Sequence, residues 1–293
     1  MAILLDTDIG TNIDDALALA YLLKRPDCEL VGITTVSGEA ERRAMLADAV
    51  CRACGRPDIP VHPGREEPTI LPQFQPVAEQ ASILPAWPHE TTFARNAAIA
   101  FLGDAIRSRP GELTLLSIGP LTNVGVLFAV DPEIPSLLKA HVMMGGLYGG
   151  PVAGRGPTER NIANDPHAAE VVFDARDTRL TCVGLDVTMR CSLAEATCRQ
   201  RLSTVSVGLL NALADVWFAE HAEITFHDAL AAAVLFEPSL CTYTRGRVRV
   251  EADNVGSLGR TQFDTASNAQ PHAVATDVHV ARFFEHFFSI LEG

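Results

Sequence analysis

The chain alternates short apolar runs with longer runs of helical spacing, and this alternation constrains its fold more than any other feature. The strand-like runs are AILLD, ELVGITTV, LTLLSIG, HVMMGG and RLTCVGLDVT. The helical runs between them include IDDALALAYLLK, AERRAMLADAVCRAC, RNAAIAFLGDAIRS and DPHAAEVVFDA. Such a βαβ rhythm is typical of a parallel sheet. We therefore predict an α/β fold: an open, mostly parallel sheet flanked by helices, with a Rossmann-like core.

A single domain is expected over residues 1–293. Although the chain is longer than an average domain, α/β folds of more than about 250 residues commonly form one unit, and no linker-like composition interrupts this sequence. Six prolines between Pro63 and Pro88 predict a long loop at about 63–92, either a lid over a site or a surface excursion. A helix-rich segment is expected at about 192–236, followed by a β-rich tail and a closing helix.

Charge and composition exclude several classes of partner. The formal net charge is −13, whereas binding to nucleic acid or to an anionic membrane surface requires clusters of Lys and Arg. The sequence also has no apolar run long enough to span a bilayer. We expect neither nucleic acid nor a membrane as a partner. Seven scattered cysteines and the lack of a signal-peptide pattern favour a cytoplasmic location.

Four aspartates stand close together in the segment DTDIGTNIDD. Asp14 and Asp15 open a helix, where carboxylates are favoured by the free N–H groups and the helix dipole. Asp6 and Asp8 instead end a strand, with their side chains on the same side, at the sheet edge where ligands bind in such folds. Four clustered carboxylates repel one another unless a cation or shared protons offset the charge. The cluster therefore predicts a site for a hard divalent cation.

Three known carboxylate motifs were compared with this segment. An EF-hand loop beginning at Asp6 would need Gly at Thr11 and Glu at Leu17, so that motif is excluded. A haloacid-dehalogenase-type phosphatase also begins with Asp-x-Asp after a first strand, but its downstream Lys and acidic pair have no convincing counterpart here. A glycosyltransferase Asp-x-Asp site stays open as a remote alternative, although no basic cradle for a diphosphate accompanies the motif.

Five motifs occur in the order typical of one protein family. They are DTDIGTNIDDA, SIGPLTNVGVLF, VMMGG, ERNIANDPHAAEVV and FHDALAAAVLFEPSL. Together they span Ala2 to about Leu240, and in this order they resemble the signature segments of the inosine-uridine-preferring nucleoside hydrolase family. The resemblance implies the nucleoside hydrolase fold and an enzyme that hydrolyses the N-glycosidic bond of ribonucleosides, releasing free base and ribose.

The resemblance also implies a calcium ion as cofactor. Its ligands would be Asp8, Asp15, Asp228 and the backbone carbonyl of Ile118, and calcium's six to eight oxygen ligands leave room for ribose hydroxyls and a water. Asp8 would act as the general base toward that water. His227 matches the position proposed to protonate the departing base, a role that suits a side chain titrating near neutral pH.

Further positions match the family's sugar pocket. Asp14, Glu159 and Asn161 correspond to residues that hold ribose hydroxyls, and Met144 to one that packs beside the sugar. Buried carboxylates would stabilise the oxocarbenium-like transition state, while Asp6 would orient its neighbours by hydrogen bonding. Relatives are often dimers or tetramers, so the resemblance implies a homodimer or homotetramer.

The chain departs from the family pattern near the sugar pocket. Glu39 stands where the family commonly has a ribose-directed Asn, Ala153 replaces another Asn, and Arg160 replaces a Phe. The TNI segment is two residues longer than the common form, and Asn12 could add a contact there. These changes leave an alternative open: a non-hydrolytic or altered-substrate member that binds ribose or an N-riboside. Glu39, which we include among the substrate-binding candidates, is the discriminating residue.

Overall fold

A computed structural model describes residues 1–150, 152, 156–176 and 179–293 of the chain. Its strands are β1 Ala2–Thr7, β2 Glu29–Thr35, β3 Val61–Pro63, β4 Leu113–Ser117, β5 Ala140–Met144, β6 Leu180–Val183, β7 Ser192–Ala194, β8 Glu223–Thr225, β9 Cys241–Val250, β10 Thr261–Asp264 and β11 His272–Val278.

The helices alternate with these strands through the first two thirds of the chain. They are α1 Asp14–Lys24, α2 Ala40–Ala53, α3 Ala98–Ser108, α4 Thr122–Val130, α5 Ile134–Leu137, α6 Arg160–Asn164, α7 Pro166–Asp174, α8 Leu185–Thr188, α9 Glu195–Leu202, α10 Gly208–Phe218, α11 His227–Val234 and α12 Val280–Glu292. Two 3-10 helices are Glu79–Ala86 and Pro238–Leu240. In the described part of the chain, no helix combines the length and apolar composition needed to cross a membrane.

One large sheet organises the molecule. Within the described residues it has nine strands in the order β10-β9-β11-β6-β5-β4-β1-β2-β3. All pairs from β11 to β3 are parallel, and β9 and β10 add antiparallel strands at one edge. The predicted open, mostly parallel sheet flanked by helices is therefore confirmed. A separate antiparallel pair joins β7 to β8.

Helices bury both faces of the sheet, which explains why its strands are continuously apolar. Along β1, Ile3 and Leu5 face one hydrophobic core and Leu4 faces the other, all with no exposed surface. Helix α1 packs against α11 and α2 on the first face, while α4 packs against α7 on the second. The central strands β1 and β4 are thus held from both sides.

The predicted strand RLTCVGLDVT is wrong in its second half. The strand β6 ends at Val183, and Leu185–Thr188 forms the short helix α8. At Gly184 the chain turns: a Cβ there would lie 2.7 Å from the Tyr148 ring and 2.9 Å from the Gly146 carbonyl oxygen. The Leu185 N–H donates to that same carbonyl, so the turn is fixed by backbone bonding that the apolar pattern does not reveal.

Gly125 should be essential for the packing of α4 on α7. A Cβ at this position would lie 2.7 Å from the Cα, Cβ and oxygen of Ala168, so Gly125→Ala should lower the free energy of unfolding by about 1–3 kcal/mol. Gly103→Ala is the control, because its Cβ would meet Leu127 at an ordinary 3.4 Å and should leave stability unchanged or raise it by up to about 1 kcal/mol. Urea unfolding measures both, and equal losses would contradict this account.

Candidate active site

The site lies where β1 and β4 end, next to each other in the sheet. Asp8 follows β1 and Ile118 follows β4, and the Ile118 N–H donates to the Asp6 carbonyl at 2.8 Å. From β1, the chain builds β2 and β3 to one side and β4 to β6 to the other, which makes this the topological switch point where ligands bind in open α/β sheets. Gly119 permits the close approach, since a Cβ there would lie 2.8 Å from the Asp8 nitrogen.

A cavity of about 790 Å³ opens at this edge, a size that suits a small-molecule ligand. Most of the residues that the sequence proposed for the site line it: Asp8, Asp14, Asp15, Ile118, Met144, Glu159, Asn161, His227 and Asp228. They come from strand ends, helix starts and the segment after β5. The structure thus brings these side chains together, while their individual roles stay predictions.

Three carboxylates form a compact cluster in the cavity wall. Oxygen atoms of Asp14, Asp15 and Asp228 all lie within 4.8 Å of one another. Thr7 donates its hydroxyl to Asp15, and the Asp228 N–H donates to Asp14 at 3.3 Å. The buried Oδ1 of Asp228 has no hydrogen-bond partner among the described residues. Oxygen ligands of this kind suit a hard divalent cation, so the cluster could hold a metal ion.

This cluster differs in one member from the predicted ligand set. Asp14, expected to hold ribose, belongs to it, whereas Asp8 lies in the same cavity with its Oδ2 accepting a hydrogen bond from Gln75. The Ile118 carbonyl accepts the side-chain amide of Asn161 at 2.9 Å. A carbonyl oxygen has two lone pairs, so this bond leaves Ile118 one lone pair for a further contact.

Burial dominates the electrostatics of the carboxylates. It raises the pKa of Asp6 to about 7 and that of Asp14 to about 6. Burial also raises the pKa of Asp15 and of Asp228 well above their ordinary values, and neighbouring negative charges add to the effect. For Asp8 the shift is upward too, opposed by the charge of Arg43 and by the bond from Gln75. Without a cation, this site favours protonated carboxyls.

Asp6 is held away from the cavity by hydrogen bonds. Its Oδ1 accepts from Thr34 and from the Asn123 amide, the latter at 2.8 Å, and Asp6 is fully buried. Asn123 also donates to the Thr35 carbonyl at 3.0 Å. This arrangement ties the ends of β1 and β2 to the start of α4, and the orienting role of Asp6 stays a prediction.

Glu159 and Asn161 are positioned by the start of α6. The Glu159 carboxylate caps this helix, accepting the N–H groups of Asn161 at 2.7 Å and Ile162 at 3.0 Å, and it accepts a third from Gly146 at 3.1 Å. The Asn161 amide reaches the Met144 carbonyl at 3.2 Å as well as Ile118. These hydrogen bonds fix the positions of both side chains at the cavity wall.

His227 is the first residue of α11 and is partly exposed to the cavity. Its ring Nδ1 lies 2.7 Å from the hydroxyl of Thr188, a fully buried residue at the end of α8. Helix α8, which follows the turn at Gly184, therefore supplies Thr188, the residue that contacts the histidine ring. Asp228 follows directly, so one helix start contributes both a histidine and a carboxylate to the site.

Arg43 and Gln75 both contact Asp8, and neither was proposed from the sequence. Arg43 lies on α2, has no exposed surface and donates to the carbonyls of Gly38, Asp8 and Ile9. Its signal was present, because Arg43 interrupts the buried stripe of Leu46, Ala47 and Val50 on the same helix. Gln75 enters from the loop between β3 and α3, where no periodic pattern points to it.

The departures from the family pattern have different outcomes. Glu39 is not among the described residues that line the cavity, which differs from the substrate contact expected of it. It adopts a left-handed backbone conformation with φ of 58°, and its carboxylate accepts the Ala78 N–H at 2.8 Å and pairs with Arg42 at 3.0 Å. Asn12 and Arg160 do line the cavity. Ala153 lies outside the described residues.

The fold and this site define an α/β protein whose cavity, large enough for a small molecule, contains a cluster of carboxylates that could hold a metal ion. A family model described as inosine-uridine preferring nucleoside hydrolase matches residues 3–285, and the chain belongs to this family. The resemblance read from the motifs is therefore confirmed. The chain is accordingly an enzyme of the nucleoside hydrolase class, which acts on N-glycosidic bonds.

Individual relatives support the same assignment. The chain is 30% identical over 283 residues to uridine nucleosidase 1 of Arabidopsis thaliana, covering 89% of this chain and 81% of that protein. It is 29% identical over 306 residues to the inosine-uridine preferring nucleoside hydrolase of Crithidia fasciculata, covering 99% and 95%. A solved purine-preferring ribonucleoside hydrolase from Gardnerella vaginalis superposes with a TM-score of 0.87 at 26% identity, covering 100% and 98%.

The metal-free protein should become less stable as pH rises. The pKa of Asp14 is raised to about 6 and that of Asp6 to about 7, above their ordinary value of 3.8. Raised folded-state values stabilise the protein below the unfolded pKa, and this stability is lost as pH rises through 6 to 7. The melting temperature of chelator-treated protein should therefore fall between about pH 5 and about pH 8, and Asp14→Asn should flatten that slope. A rise over this range would contradict the assignment.

Proposed function

We propose that this enzyme hydrolyses ribonucleosides in a calcium-dependent reaction that releases free base and ribose. One observation carries the proposal. Asp8, the cluster of Asp14, Asp15 and Asp228, and His227 all face one cavity at the switch point of the sheet. A base, a cation-binding cluster and an acid are the groups that a metal-assisted hydrolysis can use to activate water and to protonate a leaving group.

Calcium is the cation that best suits these donors. The residues that would hold it are Asp15 and Asp228 together with Asp8 and the Ile118 carbonyl, and Asp14 lies within the same cluster. Carboxylates and a backbone carbonyl match the flexible, oxygen-rich coordination of calcium better than the strict octahedron of magnesium. When bound, calcium would acidify a water and contact ribose hydroxyls.

Asp8 acts as the general base in the proposed mechanism. It takes one proton from a water, whose oxygen forms a bond to C1′ of the ribose while the bond from C1′ to the base nitrogen breaks. The electron pair of that bond leaves with the base. Positive charge develops on the sugar, and the buried carboxylates of Asp14 and Glu159 stabilise it electrostatically. Asn161 and Met144 hold the sugar against this wall.

His227 then donates a proton to the departing base. The Thr188 hydroxyl at Nδ1 fixes the plane of the imidazole ring, and the ring lies in the cavity wall beside Asp228. Trp217 and His221 also line the cavity, and their rings stack with centroids 3.8 Å apart, which offers an aromatic surface. We propose that the base occupies the space between His227 and this pair.

We extend the proposal to the 63–92 loop, the oligomeric state and the location of the protein. Residues Phe74, Gln75, Glu79 and Gln80 of the 63–92 loop line the cavity, which favours the lid over the surface excursion. Family likeness supports a homodimer or homotetramer. The seven cysteines are free thiols, which suits a reducing cytoplasm.

Asp8→Asn should abolish most hydrolysis while Asp104→Asn, an exposed carboxylate on α3, should not. Loss of a general base typically costs about 100- to 10,000-fold in rate. The assay incubates calcium-loaded protein with inosine, adenosine, guanosine, uridine, cytidine and nicotinamide riboside, and follows release of reducing sugar. Chelator treatment should abolish turnover and added calcium restore it. No release from any of these substrates by protein that binds calcium would favour the non-hydrolytic, riboside-binding alternative.

His227→Ala should separate protonation of the base from the rest of the reaction. Turnover of uridine should fall by about 100-fold or more, because the pyrimidine anion leaves poorly without a proton. Hydrolysis of p-nitrophenyl riboside, whose nitrophenolate needs no proton to leave, should change much less. Equal losses on both substrates would contradict the acid role and point instead to a general distortion of the site.

A further inference from the structure

One amide from the 63–92 loop contacts the proposed general base. Gln75 is 6% exposed, and its Nε2 donates both to the Asp8 Oδ2 and to the Thr11 hydroxyl, the latter at 2.8 Å. An amide nitrogen carries two hydrogens, so these two bonds use its full donor capacity. The orientation of the Gln75 amide is therefore fixed by its own contacts.

The oxygen of the same amide has no partner in the described part of the chain. Gln75 Oε1 is buried, and the residue lines the cavity. Leaving a buried acceptor unpaired costs about 1–3 kcal/mol, which favours a hydrogen-bond donor from a bound molecule at this point. A hydroxyl or a water supplies such a donor, and Nε2 of the same amide contacts Asp8.

The buried side chain of Arg43 stabilises this arrangement by hydrogen bonds to both chain segments. Its guanidinium donates to the Asp8 carbonyl, to the Thr11 hydroxyl at 3.0 Å and to the Val77 carbonyl at 3.1 Å. Thr11 belongs to the segment that is longer here than in the common family form, and its hydroxyl accepts hydrogen bonds from both Gln75 and Arg43. One buried cation thus joins the segment after β1 to the loop that carries the amide.

Glu39 also holds the loop that carries Gln75, through a hydrogen bond to its backbone. Its carboxylate accepts the Ala78 N–H, three residues beyond Gln75, instead of facing the cavity. The position where the family commonly has an Asn therefore anchors the loop, and the loop in turn brings a side-chain amide to Asp8.

We propose that Gln75 is a positioning residue for Asp8 and the second acceptor for the attacking water. The inference rests on the proposed hydrolysis. Nε2 holds the Asp8 carboxylate while the water gives one proton to Asp8 and directs its other hydrogen to Gln75 Oε1. As the oxygen bonds to C1′ and the bond to the base nitrogen breaks, that second hydrogen stays on the new hydroxyl of ribose.

Gln75→Met and Gln75→Glu test this role. Methionine keeps the length of the side chain without its hydrogen bonds, and glutamate keeps an acceptor but loses the N–H groups that hold Asp8. Both should lower kcat by about 100-fold, the cost of a misplaced catalytic group, with little change in KM. Calcium affinity by calorimetry should stay near the wild-type value in the neutral variant Gln75→Met, which adds no charge beside Asp8. Val77→Ala, which shortens an exposed side chain of the same loop, is the control and should retain most activity.

The outcomes separate this inference from the proposed function. An active wild type with unchanged kcat in both Gln75 variants would overturn the inference and leave the hydrolysis intact. Equal losses in Val77→Ala would assign the effect to loop order, and a change confined to KM would assign it to substrate binding; either result overturns the positioning role. A wild type that turns over none of the nucleosides would refute the proposed function, and the inference with it.

Discussion

The burial of several carboxylates at one edge of the sheet is the constraint on which the rest of the structure depends. Asp8, Asp14, Asp15 and Asp228 are each at most 6% exposed, and ionised groups so placed repel one another and lose hydration. Two helices, α1 and α11, begin at this point, so their positive N-terminal ends face the charge. Arg43 adds a cation from α2. A divalent cation would offset the negative charge that remains.

The same constraint explains why the chemistry falls at this place in the fold. Parallel strands end together, and β1 and β4 diverge in their connections, which opens a crevice at their carboxyl ends. In the proposed reaction, negative charge held there by strand ends and helix starts could not move away from a sugar that becomes positive. Preorganised charge of this kind stabilises a transition state without rearrangement. Stability and catalysis therefore make opposite demands on the same carboxylates, and a bound cation would reconcile them.

Local sequence patterns predicted much of this site because its side chains occupy positions with local signals. Asp8 follows an apolar strand, Asp14 and Asp15 open an apolar helix, and His227 with Asp228 open another. Gln75 has no such signal: it contacts Asp8 across 67 residues of chain, from a loop whose path depends on tertiary contacts. The left-handed backbone conformation of Glu39 could not be predicted from the sequence either, because glutamate rarely adopts it. The strand predicted beyond Val183 failed for a similar reason, since backbone bonding to Gly146 ends it.

Glu39 shows why a substitution in a family pattern cannot be interpreted at its own position alone. Considered by itself, an amide replaced by a carboxylate suggests an altered sugar pocket. In the structure the carboxylate anchors Ala78, and Arg43 and Thr11 secure the neighbouring Gln75 beside Asp8. Strand ends and helix starts supply most of the carboxylates and the histidine of the site, while the loop supplies Gln75. The effect of a change at position 39 is therefore to be sought in the side chains that hold this loop beside Asp8.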